Sequence, residues 1–484
     1  MSFKGQVSDY EPVTRSSATR DWTRDDPEWP ERAAAPVSAE TGQTPPESFV
    51  APAAAPPLRR GHALGFAGLF LFTILLYFRP YELYPSLGWL SSIPFWVAAA
   101  TVLVFLPSQL ALEGSLTTRP REVSLVLLFC ALALLSILFA IDRSLAWETF
   151  SGVFVKVVVM FIVFVNVVRT ERRLRLMLLL ALAAGFVISF SAINNYLAGN
   201  FQVEGYRVEG NIRLSGLFGS TNDMALFLVT LIPIATAMFC RTRNIIGKVV
   251  YGGMILLMLA GTLFTYSRGG FLGLIAVALV LAWKLGRRHR LAVVIMLVLG
   301  CGAVLALAPE KYGSRMASIT SSGPSGEASA VERRRLLFRS LFISVRHPLL
   351  GVGMANFPIV SHRNLVTHNA YTQVASEMGL IALAVYLLFM LTPLKGLRKL
   401  ERETTGKDDY GRRVYYLAVG LQAGLAGYMV SSFFLSVAYG WTVYYLVGYA
   451  VCLRRLYESG GIVAAGSVPH ADARLATPAA SHGL

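Results

Sequence analysis

Charged side chains are scarce in this chain: Asp, Glu, Lys and Arg make up 15% of its 484 residues, whereas hydrophobic residues make up 55%. The hydrophobic residues come in runs of about 18 or more, which is long enough to cross the ~30 Å hydrocarbon core of a bilayer. This composition argues against an ordinary soluble enzyme. It predicts an all-α, polytopic membrane protein.

Cysteine is also rare, and all four cysteines lie inside apolar runs: Cys130, Cys240, Cys301 and Cys452. That placement is typical of small buried hydrophobic residues rather than of a disulfide framework or a zinc site.

The two ends of the chain are polar, and no cleavable signal peptide precedes the first apolar run. The first sixty residues carry nine prolines and an Ala/Pro-rich tract. We expect 1–60 and 458–484 to be disordered cytoplasmic tails on either side of a transmembrane domain at 61–457.

The apolar runs predict twelve membrane helices. Their centres lie near Phe70, Phe95, Leu132, Val159, Phe186, Ile232, Leu257, Val277, Leu297, Leu383, Ala423 and Leu446. Lys and Arg collect in alternate connections: Arg59 and Arg60, Arg119 and Arg121, 169–175, 241–248, 284–290, 395–413, and Arg454 and Arg455. Since basic residues favour the cytoplasmic side, these connections and both termini should face the cytoplasm. The net charge of +16 is then largely an orientation signal, and no nucleic-acid partner is expected.

A Gly-rich segment, "GYRVEGNIRLSGLFGSTNDMALF" at 205–227, precedes the sixth predicted helix. Ser220, Thr221 or Asn222 is suited to cap that helix. Arg213, upstream of the helix N-terminus, would favour an anion there. The structural alternative is an arginine that extends to a lipid phosphate.

The stretch "TLFTYSRGGFLGL" places Arg268 at the predicted outer turn between the seventh and eighth helices. Ser267, Gly269 and Gly270 predict a tight turn. The planar guanidinium group can bind a phosphate through two hydrogen bonds. A lone interfacial arginine is more often a lipid anchor, so this signal gains weight only together with Arg213.

A long outer loop at about 309–372 contains a helical pattern near 332–346. Its apolar face consists of Leu337, Phe338, Leu341, Phe342 and Val345, and another face carries Arg335, Arg339 and Arg346. We expect this amphipathic helix to lie along the membrane surface. Its arginines would hold lipid head groups or line the path of an anionic glycan.

Three histidines, His347, His362 and His368, lie in the same loop. His368 stands at the predicted start of the tenth helix, after Thr367 as a candidate N-cap and before Asn369. Histidine titrates near neutrality and can take a proton from a hydroxyl group. Spacing alone does not choose among the three.

The segments "YSRGG", "HPLLGVGMANF" and "HNAYTQVASEMGLIAL" occur in this order, and together they resemble the signature region of the O-antigen ligase and O-antigen polymerase family. The upstream "RLSGLFGSTNDMA" is similar to the segment that precedes it in the family, so the resemblance covers roughly 200–400. It implies a GT-C-like membrane glycosyltransferase of the bacterial inner membrane. Its donor would be a glycan on a polyprenyl (undecaprenyl) diphosphate carrier, used on the outer face.

On matching positions, the resemblance implies that Arg213 and Arg268 hold the diphosphate and that His368 is the base. Further candidates for a supporting role are Asn222, Asn369, Arg335 and Arg339. Arg207 matches no motif residue and receives no role.

The outer segments hold few acidic residues, and none has the paired spacing of a metal cage. Because arginines can stabilise a departing diphosphate in place of a metal, we expect a metal-independent enzyme without a cofactor.

Four functions remain open at this point. A ligase would transfer finished glycan to lipid A core, and a polymerase would extend one lipid-linked glycan with another. A related branch glycosylates proteins on serine or threonine. A transporter also fits twelve helices, but only Lys156 lies well inside an early helix, and no repeat of one half in the other is apparent.

Overall fold

Helices account for every regular element in residues 61–78, 85–197, 220–265, 267–285 and 324–460, which are the residues that the computed structural model of this chain describes. The all-α expectation is therefore confirmed for these residues. In chain order the longer helices are α1 (Ala63–Phe78), α2 (Ile93–Glu113), α3 (Arg121–Leu138), α4 (Arg143–Val167), α5 (Glu171–Leu197), α6 (Thr221–Arg241), α7 (Ile245–Phe264), α8 (Arg268–Lys284), α9 (Pro324–Arg346), α10 (Ala370–Met378), α11 (Leu380–Thr404), α12 (Asp409–Ser431) and α13 (Trp441–Glu458).

Eight of these helices are long and apolar enough to cross a membrane: α2 to α7, α11 and α12. Helices α1 and α8 are shorter, with 16 and 17 residues, and α13 ends in a charged turn. Eleven of the twelve predicted centres fall within described helices. The twelfth, near Leu297, lies outside the described residues, so the count of twelve spans and the GT-C-like fold stay predictions. The chain is a polytopic membrane protein.

Helix α12 packs against α6, α8, α11 and α13, and small residues let it approach them closely. A Cβ atom added at Gly420 would lie 2.7 Å from the Pro233 carbonyl oxygen, at Gly424 3.0 Å from the Thr230 carbonyl oxygen, and at Gly427 2.6 Å from Val277 Cγ2. These glycines therefore set the distance between α12 and its neighbours.

The described residues of the connections predicted to be basic meet at one end of the bundle, where ion pairs join them. The pairs are Arg454 with Glu122 (2.7 and 2.8 Å), Arg169 with Glu113 (2.6 Å), Lys284 with Glu401 (2.5 Å), Arg241 with Glu171 (3.2 Å), and Arg243 with Asp409. We call this the basic end. That it faces the cytoplasm stays a prediction.

Candidate functional site

Helix α9 extends the amphipathic segment predicted near 332–346 to Pro324–Arg346. The predicted apolar face points away from the protein, with Phe338 and Val345 58% and 77% exposed. A different stripe packs against the protein: Leu336 and Ile343 are almost fully buried and contact Val352 and Phe357, while Ser340 and Ser344 are buried beside them. The helix thus presents one apolar face to its surroundings and a narrower stripe to the protein.

Arg333 lies in phase with the buried stripe, three residues before Leu336, and is half-buried. Burial and the charge of Arg268 lower the pKa of Arg333. Burial and the charge of Arg333 lower the pKa of His368. Such charge effects weaken with distance. Arg268, Arg333 and His368 therefore lie in one region of the protein, with Arg333 linked to each of the other two, and we call them the arginine–histidine cluster.

The first turn of α8 explains the motif "YSRGG". Ser267 is the N-cap, and its hydroxyl accepts a hydrogen bond from the Gly270 N–H at 3.2 Å. Arg268 is the first helical residue. A Cβ atom added at Gly270 would come within 2.7 Å of Ala225 Cβ, so a glycine here lets α8 begin directly beside α6.

His368 lies in a turn rather than at the start of a long helix. Its φ of +51° is in the left-handed region, and its N–H donates to Ser436 Oγ at 2.9 Å. The predicted cap at Thr367 is wrong: the N-cap of α10 is Asn369, whose side chain accepts the N–H groups of Tyr371 and Thr372. Thr367 Oγ1 instead forms a hydrogen bond with Ser436 Oγ at 2.9 Å. Two hydrogen bonds to Ser436 therefore fix the turn that carries His368.

The predicted tenth helix is also broken, because Gly379 separates the nine residues of α10 from α11. Gly379 has a φ of +91°, and a Cβ atom there would lie 2.3 Å from the Leu349 carbonyl oxygen. The motif segment 348–353 passes along this break. Three backbone hydrogen bonds hold it: Leu380 N–H to Pro348 (2.7 Å), Val352 N–H to Ser376 (2.9 Å) and Gly353 N–H to Glu377 (2.9 Å).

Glu377, near the C-terminus of α10, is a buried acid that sequence reasoning did not select. It accepts hydrogen bonds from the Ala355 N–H at 2.9 Å and from the Tyr439 hydroxyl at 2.8 Å. Burial raises the pKa of Glu377 to about 7, although these hydrogen bonds act in the opposite direction. The side chain ties α10 to the loop before α13.

A cavity of about 210 Å³ lies between the ends of α1, α4, α6 and α13, and we call it the aromatic cavity. Its aromatic lining consists of Tyr77, Phe227, Tyr439 and Trp441, and its polar lining includes Asp223 and Ser436. Because Ser436 also holds the His368 backbone, the cavity and the arginine–histidine cluster share a wall. Sequence reasoning missed Asp223, although it lies next to the selected Asn222.

The other predicted site residues have different surroundings. Asn222 is in the first turn of α6, which Ser220 caps. Arg335 is exposed, and Arg339 donates from Nε to the Val360 carbonyl oxygen at 3.0 Å. His347 and His362 are exposed. Arg213 lies outside the described residues, as do 1–60, Arg207, 309–323 and the tail from 461 onward.

Metal ligands do not gather within the described ranges: no three His, Cys, Asp or Glu side chains there are placed to hold an ion. Metal independence stays a prediction.

The described cysteines Cys130, Cys240 and Cys452 are free, and Cys301 lies outside the described residues. Lys156 lies over the ring of Phe95, 5.7 Å from its centroid.

Fold and site together define a class: polytopic helical membrane proteins with an arginine–histidine cluster beside an aromatic cavity. Residues 253–387 match the family model described as O-antigen ligase. The resemblance to the O-antigen ligase and polymerase family is thereby confirmed over these residues. The matched region includes Arg268, Arg333 and His368 and excludes Arg213 and Asp223. No curated protein matches the chain.

Proposed function

We propose that this protein transfers a glycan from a polyprenyl diphosphate carrier to an acceptor hydroxyl group at the outer face of the membrane. The observation that carries the proposal is the arginine–histidine cluster. The cluster consists of two arginines and a histidine whose pKa is lowered, and all three lie within the residues that match the O-antigen ligase family model. That combination suits a reaction with an anionic leaving group and a hydroxyl nucleophile.

In the proposed reaction, His368 takes the proton from the acceptor hydroxyl. The acceptor oxygen then attacks the anomeric carbon of the donor sugar. The bond from that carbon to the diphosphate breaks, and its electron pair leaves with the diphosphate. Arg268 and Arg333 stabilise the charge that develops there. Arg213 would contribute a third guanidinium group.

The lowered pKa of His368 supports its role as base. Because burial and the charge of Arg333 disfavour the imidazolium form, the ring remains neutral and able to accept a proton at neutral pH. The exposed His347 and His362 lack this environment. This contrast supports the choice of His368 among the three histidines.

The test is transfer by the purified protein, given lipid-linked donor and acceptor. His368→Ala should abolish transfer, since a general base contributes roughly 10²- to 10⁴-fold, while donor still binds. Arg268→Lys keeps the charge but loses the planar fork of donors, so the rate should fall, by about 10²-fold. His347→Ala and His362→Ala are the matched controls and should retain most activity. An active His368→Ala variant removes the proposed base.

Metal independence is tested in the same assay. Transfer should persist in excess EDTA. Loss of activity that magnesium or manganese restores would contradict this part of the proposal.

The orientation has its own test, by labelling single cysteines from outside with a membrane-impermeant reagent. His362→Cys and Lys407→Cys are suitable because both positions are exposed. We expect His362→Cys to react in intact cells and Lys407→Cys to react only after the membrane is opened. The reverse pattern would overturn the orientation.

Within the family, we favour the ligase-type reaction, with lipid A core as acceptor. The polymerase is the second reading, with an exopolysaccharide or O-antigen chain as acceptor. Deleting the gene distinguishes them by the glycans left on the carrier. Loss of a ligase strands full-length chains, whereas loss of a polymerase leaves single repeat units.

A further inference from the structure

The aromatic cavity has the lining of a carbohydrate site rather than of a diphosphate site. Tyr77 and Phe227 lie with their ring centroids 5.4 Å apart, and Trp441 forms another wall. Asp223 and Ser436 supply oxygen atoms, and the described lining contains no Lys or Arg. Flat apolar surfaces suit the C–H faces of a sugar ring. Carboxylate oxygens suit its hydroxyl groups, because such charge-assisted hydrogen bonds are strong.

The cavity size limits what it can hold. At about 210 Å³ it is smaller than the ~300–1,000 Å³ typical of pockets for drug-sized ligands. One sugar ring fits this space better than a chain of sugars or a whole diphosphate-linked donor does.

The position of the cavity is suited to a substrate of the proposed base. Ser436 lines the cavity, and its Oγ accepts the His368 N–H at 2.9 Å. On the other side, α8 begins against α6, where Gly270 meets Ala225, two residues from Asp223. The cavity and the arginine–histidine cluster are thus two adjoining compartments of one end of the bundle.

We infer that the aromatic cavity binds one neutral sugar ring of the acceptor glycan, packed on Trp441 and hydrogen-bonded by Asp223. This inference rests on the proposed function. The acceptor is favoured over the donor because the donor sugar carries a diphosphate, which a lining with a carboxylate and no described cation would repel. The acceptor sugar has no such charge near its reacting hydroxyl group.

The kinetic test compares acceptor and donor dependence for Trp441→Leu and Asp223→Asn. Each should raise the KM for acceptor roughly tenfold or more, since each removes a contact made with the bound sugar. The KM for donor should change little. Trp441→Phe keeps a ring and should restore most of the acceptor affinity. A larger effect on donor than on acceptor would overturn the inference.

Matched controls are available on α4 at the same end of the bundle. Trp147→Leu and Asp142→Asn make the same chemical changes outside the cavity, at an exposed tryptophan and at a helix cap that asparagine also serves. Both should leave the KM for acceptor unchanged. Equal effects in the controls would overturn the cavity assignment.

Direct binding separates this inference from the proposed function. Methyl glycosides of glucose, galactose and mannose, at tens of millimolar, are tested by saturation-transfer NMR on the intact protein. At least one should bind, and Trp441→Leu should abolish its signal while unfolding at an unchanged temperature. If the protein binds a methyl glycoside but transfers no glycan, the proposed function is wrong and the cavity is still a sugar-binding site. Signals that are absent, or equal in wild type and Trp441→Leu, would overturn the inference even if transfer is observed.

Discussion

The two ends of the helix bundle treat charge in opposite ways. At the basic end, cations pair with acids: Arg454 makes two hydrogen bonds to Glu122, which is 0% exposed, and Arg169 pairs with Glu113 at 2.6 Å. At the site end, the arginine–histidine cluster brings two cations near each other and near a titratable histidine, so that Arg268 lowers the pKa of Arg333, and Arg333 lowers that of His368. Pairing stabilises a fold, whereas gathering like charges costs stability and is typical of functional sites. The arginines that hold the bundle together by ion pairs at the basic end are thus distinct from the arginines that lie near His368 at the site end.

The largest expected effect concerns stability at the basic end. Glu122→Gln keeps the side-chain volume but leaves the charge of Arg454 without its partner. Breaking one partner of a buried pair costs about 3–5 kcal/mol. Arg333→Gln, at the site end, should cost nothing or stabilise slightly, because it relieves repulsion. Unfolding of both variants in the same detergent measures the difference.

The double variant Glu122→Gln/Arg454→Gln is the control for this experiment. It removes both charges and should recover part of the lost stability. If Arg333→Gln unfolds as readily as Glu122→Gln, the contrast between the two ends is wrong.

A smaller expected effect is on the pH dependence of stability, because the buried acids at the two ends have different partners. Glu377 is hydrogen-bonded to neutral groups instead of an arginine, and burial raises its pKa to about 7 from an ordinary 4.5. The folded state therefore binds the proton more tightly than the unfolded state does. The contribution of Glu377 to the free energy of unfolding is fully present below about pH 4.5. It decreases as pH rises toward 7, by at most ~3 kcal/mol.

Glu377→Gln stays neutral at every pH, so its unfolding temperature should vary less between about pH 4.5 and 7 than that of the wild type. Glu148→Gln, at an exposed position, is the matched control and should follow the wild type. Parallel curves for all three proteins would show that Glu377 does not titrate in this range.

The smallest expected effect lies within the arginine–histidine cluster. Burial is the larger cause of the lowered His368 pKa, and the charge of Arg333 is the second. Arg333→Gln removes only the second cause, so the pKa of His368 should rise. The acidic limb of kcat/KM should then move to higher pH, because that limb reports the base in the free enzyme.

Arg335→Gln removes an exposed charge from the same helix and should leave the limb in place. If the acidic limb of kcat/KM stays at the same pH in Arg333→Gln, the charge of Arg333 does not affect the pKa of the base. A limb that moves equally in both variants would indicate a general effect of surface charge.

Sequence patterns predicted much of the fold, because hydrophobic runs of membrane length have few alternatives to a helix. Helices contain eleven of the predicted span centres, and the basic connections meet as expected. The motif residues Arg268 and His368 are each linked to Arg333 by charge effects. The roles of Asn369 and Gly379 were not predicted. The polar pattern allowed Thr367 as the N-cap instead of Asn369. The run "MGLIAL" is apolar like the interior of a helix, and the break at Gly379 depends on contact with the Leu349 backbone.

Arg333 shows why the rest of the site escaped prediction. The sequence predicts an amphipathic helix along the membrane surface, with Arg335 and Arg339 at lipid head groups or along the path of a glycan, but it does not predict which residues face the protein. In α9 the large apolar residues point outward, and the stripe that faces the protein consists of Leu336, Ser340 and Ile343. Small and hydroxyl-bearing residues are typical of helix contacts in membranes, where lipid is as apolar as leucine. That stripe, extended back by one turn, is the signal that would have found Arg333.

Hydropathy and side-chain type are properties of short segments, so the membrane environment of the chain, its helical class and the chemistry of its motif residues follow from the sequence. Three features depend on tertiary packing: Arg333 lies near Arg268 and His368, Ser436 holds the histidine turn, and aromatic side chains from α1, α6 and α13 line a cavity. These residues lie far apart along the chain. Their meeting depends on which faces of the helices pack together, and local hydropathy does not specify that when lipid and protein interior are equally apolar.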